Sequence, residues 1–294
     1  MSGRALPSLL ALVGLALALP GASEPGNDAA VRLGVVSSYN PRLMFVRYQP
    51  LIDVLSERTG RRWELAVSAS YEEATRDLCA GRVALAHLGP LTYVRAHARC
   101  GATPALRLQS GDRSVIHGDV LVRSDSPFER LEDLAGRRIG FGDPLSTSSH
   151  LLPRVMLRDA GLEPGRDVEC HYFGQHELAA RAVLLGEVEA CGVRDTVGDL
   201  FLRRGLRRLA RSAPVAAYPL VLSPAAPPGL REELASALQG FPGDPRGRSD
   251  EERWDLELSG AFVPADDSDY DPVRRLAERL FGLRFAGFTP EELK

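Results

Sequence analysis

Residues 138–153 read RIGFGDPLSTSSHLLP, and this stretch combines the signals of a strand, a turn and a helix. The segment 138–141 favours a strand, the turn after it contains glycine and proline, and an apolar helical pattern begins at Leu151. Four consecutive hydroxyl residues, 146–149, therefore lie where a strand passes into a helix. The first turn of a helix has backbone N–H groups without intrahelical partners, and the helix dipole makes that end partly positive.

These hydroxyl groups admit two interpretations. A single serine or threonine can cap the helix by accepting a hydrogen bond from a backbone N–H of the first turn. Hydroxyl donors beside the helix amides can also hold a tetrahedral oxyanion such as phosphate. Because capping uses only one hydroxyl and the chain supplies four in a row, the pattern favours an oxyanion site.

The first 23 residues have the pattern of a secretory signal peptide. A single charge, Arg4, precedes an apolar run over 9–19, and small residues follow at 20–23. The apolar run is too short for a stable membrane span. The sequence therefore predicts a signal peptide over 1–23 and an exported mature protein that works in a periplasm.

The four cysteines agree with an exported chain, because an even number suits disulfide pairing. They form two groups whose members are 21 positions apart, Cys79 with Cys100 and Cys170 with Cys191. Pairing within each group is the simplest of the three connectivities and would put one disulfide in each of two lobes. Four buried thiols are the alternative. The sequence has no CxxC motif and no cysteine–histidine cluster, so no metal site is predicted.

Length and composition indicate a soluble protein with two lobes. A mature chain of about 270 residues exceeds the usual size of one hydrophobic core. The apolar fraction of 44% and the charged fraction of 26% are ordinary for a globular protein. A net charge of −3 argues against nucleic acid as a partner. It does not argue against an anionic ligand, because amide and hydroxyl donors can bind an anion without net positive charge.

Strand and helix patterns alternate along the chain, as in α/β proteins. Helical spacing over 44–58 puts Phe45 and Tyr48 on one buried face. Ser70 is suited to cap a helix that begins at Tyr71. The predicted strands are 31–36, 63–67, 83–88, 105–109, 119–123, 138–141, 167–173, 188–193 and 218–222.

This order predicts two lobes, each a mainly parallel sheet flanked by helices. The first part of lobe 1 covers 30–118, lobe 2 covers 119–214, and 215–294 returns to lobe 1 and ends in helices. Polar residues follow the strands, as in the turn that contains Tyr39. Because the carboxyl ends of parallel strands face the ligand crevice, we expect these turns to converge on one cleft between the lobes.

The hydroxyl run and its surroundings resemble the signature of a known family. FGDPLSTSS at 141–149, with Leu-Ala-Gly at 134–136, is similar to the signature of the phosphate-, phosphite- and phosphonate-binding proteins of ABC importers, the PhnD-like group. The resemblance extends over 31–270 and includes Tyr71 and the turn 175–177. It implies the two-lobed type II periplasmic-binding fold, in which the lobes close around a ligand by a hinge.

The resemblance also implies roles for individual residues of this chain. Three hydroxyl residues are expected to hold the phosphoryl oxygens, namely Ser146, Thr147 and Ser148. His176 is expected to contact the ligand through an imidazolium or N–H donor, and Tyr71 through its phenol. Capping of a helix by His176 and ordinary packing of Tyr71 are the alternatives.

Further positions bear on the rest of the ligand. Asp195 lies near an acidic position that, in the family, accepts a hydrogen bond from a protonated oxyanion or an amine; a surface turn is the alternative. Where aminoalkylphosphonate binders carry a tyrosine and an aspartate, this chain has Leu88 and Tyr218. The missing carboxylate favours phosphate, phosphite or methylphosphonate and leaves another small anion open. We include Tyr218 and Tyr39 among the candidate ligand residues.

The function predicted from these features is that of a periplasmic solute-binding protein that captures a small phosphorus oxyanion for ABC import. We expect a monomer that has a membrane permease as its partner, and neither enzymatic activity nor a cofactor. A sensor subunit that presents its ligand to a histidine kinase or receptor is the first alternative. A serine hydrolase using Ser146, His176 and Asp195 is the second, but no Gly-x-Ser-x-Gly elbow frames the serine.

Overall fold

The computed structural model describes residues 30–36, 41–109, 114–239, 261–282 and 284–294. The predicted signal peptide over 1–23 and the candidate Tyr39 lie outside these residues. No helix within the described ranges is long and apolar enough to cross a membrane.

The larger of two main sheets has six strands and mixes parallel with antiparallel pairs. In spatial order its strands are β13 (Ala261–Pro264), β4 (Thr103–Gln109), β12 (Pro219–Leu222), β3 (Leu85–His87), β1 (Val31–Val36) and β2 (Trp63–Ser68). β1 is parallel to β2 and β3, whereas β12 is antiparallel to β3 and β4, and β13 is antiparallel to β4. The strand predicted over 218–222 therefore lies between β4 and β3.

The second sheet has five strands. In spatial order they are β10 (Leu206–Arg211), β6 (Gly118–Arg123), β9 (Ala190–Arg194), β7 (Arg138–Phe141) and β8 (Glu169–Tyr172). β7 is parallel to β8 and β9, whereas β6 is antiparallel to β9 and β10. The predicted α/β architecture is confirmed, but both sheets are mixed rather than mainly parallel. The antiparallel pairs arise where the chain passes from one sheet to the other. The chain reaches β6 from the six-stranded sheet and β12 from the five-stranded sheet, both times without a helix among the described residues in between. Only parallel neighbours require a helical crossover.

We call the six-stranded sheet with its helices lobe 1 and the five-stranded sheet with its helices lobe 2. The helices are α1 (Pro41–Thr59), α2 (Tyr71–Cys79), α3 (Pro90–Cys100), α4 (Leu152–Asp159), α5 (His176–Leu185), α6 (Asp195–Leu202), α7 (Leu230–Ala237) and α8 (Asp271–Phe281). In lobe 1, α2 and α3 follow β2 and β3. In lobe 2, α5 and α6 follow β8 and β9, and α4 follows β7 after the hydroxyl run.

Two crossings connect the lobes and lie side by side. They pair as a short antiparallel ribbon of β5 (Val115–Ile116) and β11 (Val215–Ala216). Next to this ribbon, the Gly118 N–H donates to Ser212 Oγ at 3.0 Å, and the Ser212 N–H donates to the Gly118 carbonyl at 2.9 Å. Any rotation of one lobe against the other must therefore bend both crossings together.

The buried side chains follow the division into lobes. One cluster fills lobe 1 and reaches the start of α4, and two smaller clusters cover the two faces of the sheet in lobe 2. Helix α1 contributes Met44, Tyr48, Leu51 and Leu55, all at most 2% exposed. Phe45 was predicted on this face but is 46% exposed. Met44 takes its place, because it is the residue that keeps helical spacing with the other three.

One of the two predicted disulfides is confirmed and the other is wrong. Cys79 and Cys100, the last residues of α2 and α3, form a disulfide bond. Cys170 on β8 and Cys191 on β9 are free thiols. Strand β7 lies between these strands, so their backbones are about 10 Å apart, beyond the roughly 7 Å that a disulfide can bridge. The two cysteines also pair with consecutive residues of β7, so their side chains point to opposite faces of the sheet.

Candidate functional site

The hydroxyl run lies between β7 and α4, where the sequence predicted it. Asp143 shapes the turn before it, because its Oδ1 accepts a hydrogen bond from the Leu145 N–H at 2.8 Å. Residues Thr147–Leu151 then form one widened helical turn. In this turn the Leu151 N–H donates to the Ser146 carbonyl, five residues earlier, at 3.1 Å. Widened turns of this kind occur frequently at functional sites.

Only one hydroxyl of the run caps the helical turn. Ser146 Oγ accepts a hydrogen bond from the Ser149 N–H at 3.2 Å. All four residues of the run are at most 3% exposed. Within the described part of the chain, neither Ser148 Oγ nor Ser149 Oγ has a hydrogen-bond partner. Buried hydroxyls normally have partners, so two unsatisfied ones in a single turn suit a site for a polar ligand.

Glycines on two neighbouring strands allow the run to lie directly on the sheet of lobe 2. A Cβ atom on Gly118 of β6 would lie 2.7 Å from the Ser148 carbonyl oxygen. A Cβ atom on Gly192 of β9 would lie 2.6 Å from the Ser149 carbonyl oxygen. Both distances are too short for a real side chain, so the close approach of the backbone requires glycine at these positions.

His176, the first residue of α5, contacts the run directly. Its Nε2 lies 3.2 Å from Ser146 Oγ, and its Nδ1 accepts a hydrogen bond from the Arg194 N–H at 3.1 Å. Since Nδ1 is an acceptor, the neutral ring carries its proton on Nε2 and donates it to Ser146. Burial, followed by the positive charge of Arg194, lowers the pKa of His176 to about 3. The ring is therefore neutral at pH 7 and is not an imidazolium.

Two hydroxyls of the run accept hydrogen bonds from the protein and keep their protons for a ligand. Ser146 Oγ accepts from both His176 and the Ser149 N–H. Thr147 Oγ1 accepts from the Leu91 N–H at 2.8 Å. A hydroxyl has a single proton, so in each case that proton remains to be donated.

The same hydrogen bonds argue against a hydrolase. A serine nucleophile needs a histidine nitrogen that can take its proton, and a carboxylate that accepts from the other ring nitrogen. Here Nε2 of His176 already carries a proton, and Nδ1 faces the Arg194 backbone. The carboxylate of Asp195 instead accepts from the Thr196 N–H at 2.9 Å. The hydroxyls of Ser146 and Thr147 are therefore arranged to donate hydrogen bonds to a ligand that accepts them.

Lobe 1 meets the run at the start of α3. The Leu91 N–H that donates to Thr147 belongs to the first turn of this helix. Beside it, Thr92 Oγ1 donates to the Leu145 carbonyl at 3.3 Å. The hydroxyl run therefore lies at the junction of the two lobes and is contacted from both.

Two residues outside the predicted site set, His87 and Arg194, contact the ring of Tyr218, and Tyr48 in turn contacts His87. Tyr48 Oη lies 3.0 Å from His87 Nδ1, and the His87 and Tyr218 ring centres are 5.6 Å apart. From lobe 2, the guanidinium carbon of Arg194 lies 5.4 Å from the centre of the Tyr218 ring. The last residues of β3 and β9 are His87 and Arg194, so their place at strand ends was an available signal. Tyr48 lies within α1, where helical spacing predicted it only as a core residue.

The remaining candidates belong to the starts of two other helices. Tyr71 is the first residue of α2 and packs against the core of lobe 1. The predicted cap of this helix is confirmed, because Ser70 Oγ accepts from the Glu73 N–H at 3.1 Å. Asp195 is the first residue of α6. Ligand contacts by Tyr71 and Asp195 stay predictions.

Fold and site together define a class of protein. Two α/β lobes, joined by paired crossings, have buried hydroxyl donors at their junction, as in the type II periplasmic-binding fold of ligand-capturing receptors. Among the described residues, no group of three or more histidine, cysteine, aspartate or glutamate side chains is placed to hold a metal ion. A family profile described as "ABC transporter, phosphonate, periplasmic substrate-binding protein" matches residues 33–270. The chain belongs to this family, which is one of transporter binding proteins and not of enzymes.

Individual relatives agree with this family and fold. The phosphate-import protein PhnD of Mycolicibacterium smegmatis is 26% identical over 90% of this chain and 92% of its own length. A binding component of an ABC phosphonate transporter from Pseudomonas aeruginosa has a TM-score of 0.73 at 20% identity, over 90% of this chain and 92% of that one. PhnD1 from Prochlorococcus marinus, in complex with methylphosphonate, has a TM-score of 0.76 at 18% identity, over 87% of this chain and all of that one. These structures confirm the type II periplasmic-binding fold.

Proposed function

We propose that this protein captures a small phosphorus oxyanion in the cleft between its lobes and delivers it to a membrane ABC permease. The ligand is phosphate, phosphite or a short alkylphosphonate such as methylphosphonate. The protein acts as a periplasmic monomer after export through the signal peptide at 1–23. The observation that carries this proposal is the buried hydroxyl run at 146–149, with two hydroxyls that have no partner among the described residues.

The chemistry of the run suits an oxyanion with several acceptor oxygens. Ser146 and Thr147 each retain a proton to donate, and the hydroxyls of Ser148 and Ser149 are buried beside them. Hydrogen bonds from neutral donors to a charged oxygen are stronger than those between neutral groups. Near Thr147, Tyr218 offers an aromatic ring rather than a carboxylate, which favours a ligand without an amine.

Capture would involve closure of the two lobes. The crossings at β5 and β11 are short, paired and adjacent to the site, as expected of a hinge. The contacts of Thr147 with Leu91 and of Thr92 with Leu145 are made between the lobes. The run is therefore already held against the start of α3, and any opening or closing of the lobes has to keep or break these two hydrogen bonds.

A ligand screen on the mature protein tests the proposal. A ligand that binds the folded state raises the unfolding temperature as its concentration exceeds the dissociation constant. We expect phosphate, phosphite or methylphosphonate to do so, and calorimetry then measures the dissociation constant. The double variant Ser146→Ala/Thr147→Val removes two donors to a charged ligand, each contributing about 1.5–3 kcal/mol. It should therefore bind about 100-fold more weakly or worse.

The matched control for the lost hydroxyls is Ser236→Ala, on the exposed side of α7. This variant should bind like the wild type. Unchanged affinity in the double variant would contradict the proposed site. Release of product from phosphoesters by the wild type would contradict the proposed function and favour a hydrolase.

A further inference from the structure

A buried cation, Arg194, stands beside the hydroxyl run. It is the last residue of β9 and is only 4% exposed. Its backbone N–H donates to His176 Nδ1 at 3.1 Å, and the Nε2 of that ring lies 3.2 Å from Ser146 Oγ. One imidazole ring therefore separates the backbone of Arg194 from the first hydroxyl of the site.

The side chain of Arg194 is held from both lobes. Its Nε donates to Thr196 Oγ1 at 2.8 Å within lobe 2. Its guanidinium lies over the ring of Tyr218 in lobe 1, with 5.4 Å between the guanidinium carbon and the ring centre. This distance is within the range of a cation–π contact. The positive charge therefore has a defined position at the junction of the lobes, over the ring of Tyr218.

Arg194 differs from the other donors of the site in carrying charge. The hydroxyls of the run and the backbone amides are neutral, and His176 is a neutral donor at pH 7. A guanidinium stays protonated at every pH at which proteins fold. In a site sheltered from water, one fixed charge has a larger effect on a charged ligand than it would in bulk solvent.

We propose that Arg194 determines which ligand charge the cleft accepts. It favours a small phosphorus oxyanion in its doubly negative form, and it disfavours a ligand whose tail carries a cationic amine. Tyr218, against which the guanidinium is held, has no carboxylate with which an amine could pair. The inference rests on the proposed function, since it concerns the ligand of the same site.

Two matched pairs of ligands separate charge from shape. Methylphosphonate at pH 8.5 and methanesulfonate have the same tetrahedral shape, but the phosphonate has one more negative charge. Ethylphosphonate and 2-aminoethylphosphonate share the head group, but the second carries an ammonium. Calorimetry with all four ligands gives two ratios of dissociation constants, one for each pair. We compare these ratios in the wild type, R194Q, R194K and R203Q. Arg203 is the control because it is exposed at the far end of α6.

We expect the wild type to prefer methylphosphonate over methanesulfonate and ethylphosphonate over its amino derivative. R194Q should lower both ratios at least about tenfold, as expected for the loss of a charged partner. R194K keeps the charge and should retain most of both preferences even if R194Q folds poorly, and R203Q should match the wild type. Unchanged ratios in folded R194Q, or ratios close to one in folded R194K, would overturn this inference without contradicting the proposed function. A wild type that binds none of the four ligands, and neither phosphate nor phosphite, would contradict the proposed function as well.

Discussion

At the scale of single residues, the two buried histidines next to the hydroxyl run, His150 and His176, are neutral rings at pH 7. His176 donates to the first hydroxyl of the run. His150, 0% exposed, directly follows the run in the same widened turn, with its Nε2 3.2 Å from both Tyr172 Oη and Arg154 Nη1. Burial, followed by the positive charge of Arg154, lowers the pKa of His150 well below its usual range. The ring also packs against Phe141 and stacks on Phe281.

These histidines predict how stability depends on pH. In the unfolded chain a histidine takes up a proton near pH 6.5, whereas in the folded protein both rings stay neutral to much lower pH. The folded state binds fewer protons, so their contribution to stability is complete above about pH 6.5 and is lost as the pH falls towards the folded pKa. We expect the unfolding free energy of the ligand-free protein to decrease between pH 7 and pH 5.

Urea unfolding of the wild type and His150→Gln at the two pH values measures this effect. The variant should be less stable at pH 7, because glutamine does not fill the ring's place between its neighbours. It should nevertheless lose less stability between pH 7 and pH 5, because one of the two proton-excluding rings is gone. Equal losses in the two proteins would show that His150 does not exclude a proton in the folded state.

At the scale of elements, the widened turn at Thr147–Leu151 depends on the strands beneath it. It lies on β6 and β9 because Gly118 and Gly192 present no side chain there. The first turn of α3 then contacts the run from lobe 1, through Leu91. The geometry of the donors is therefore set by three elements that are distant in sequence from the run itself.

Gly192→Ala is expected to disturb both stability and binding. The added methyl would lie 2.6 Å from the Ser149 carbonyl oxygen and from Pro153 Cγ, so the turn must move. Overpacking of this kind typically costs about 1–3 kcal/mol of unfolding free energy, and the displaced donors should weaken oxyanion binding. Chemical denaturation and calorimetry measure the two effects.

Gly287→Ala is the matched control, because a Cβ atom there meets nothing within 4 Å. Its effect on the unfolding free energy should stay within about 0.5 kcal/mol, with normal ligand affinity. Normal affinity in Gly192→Ala would show that the donors do not depend on this close packing.

At the scale of the whole molecule, the segment after β13 joins the two lobes a third time. Arg95 of α3, in lobe 1, donates to the Ala286 carbonyl at 3.4 Å. Arg154 of α4, in lobe 2, donates to the Leu293 carbonyl at 2.8 Å. Helix α8 contacts both α3 and α4. The described residues after β13, 265–282 and 284–294, therefore form a strap that any relative motion of the lobes has to accommodate.

Replacing Arg154 by alanine is expected to loosen this strap. Arg154 is 7% exposed and its guanidinium bonds Leu293, Lys294 and His150, so its loss removes several charge-assisted hydrogen bonds. We expect the unfolding free energy to fall by about 2–3 kcal/mol and amide hydrogen exchange over 284–294 to accelerate. Hydrogen-exchange mass spectrometry reports the second effect directly.

Arg158→Ala provides the comparison, because Arg158 bonds the same segment from an exposed position, donating to the Arg279 carbonyl at 3.1 Å. An exposed contact of this kind contributes roughly 1 kcal/mol or less. Exchange over 284–294 that is equally slow in Arg154→Ala and the wild type would contradict the role of Arg154.

Much of the site was predictable because its signals are local. The strand, the turn and the hydroxyls follow one another within residues 138–153, and the cap at Ser70 lies next to the helix it serves. The disulfide between Cys79 and Cys100 joins elements that are neighbours along the chain. Phe45 was misplaced because Met44 satisfies the same helical spacing one residue earlier, and only the packed core distinguishes the two.

The sequence by itself therefore determined that a hydroxyl run follows a strand of an α/β protein, because propensity and periodicity act over a few residues. Only the tertiary structure decided which residues face that run. Strand β7 separates Cys170 from Cys191, and Arg194 meets Tyr218 across the junction of the lobes. Strand order, strand register and the contact between Arg194 and Tyr218 depend on residues far apart in the chain, so no local sequence pattern predicts them.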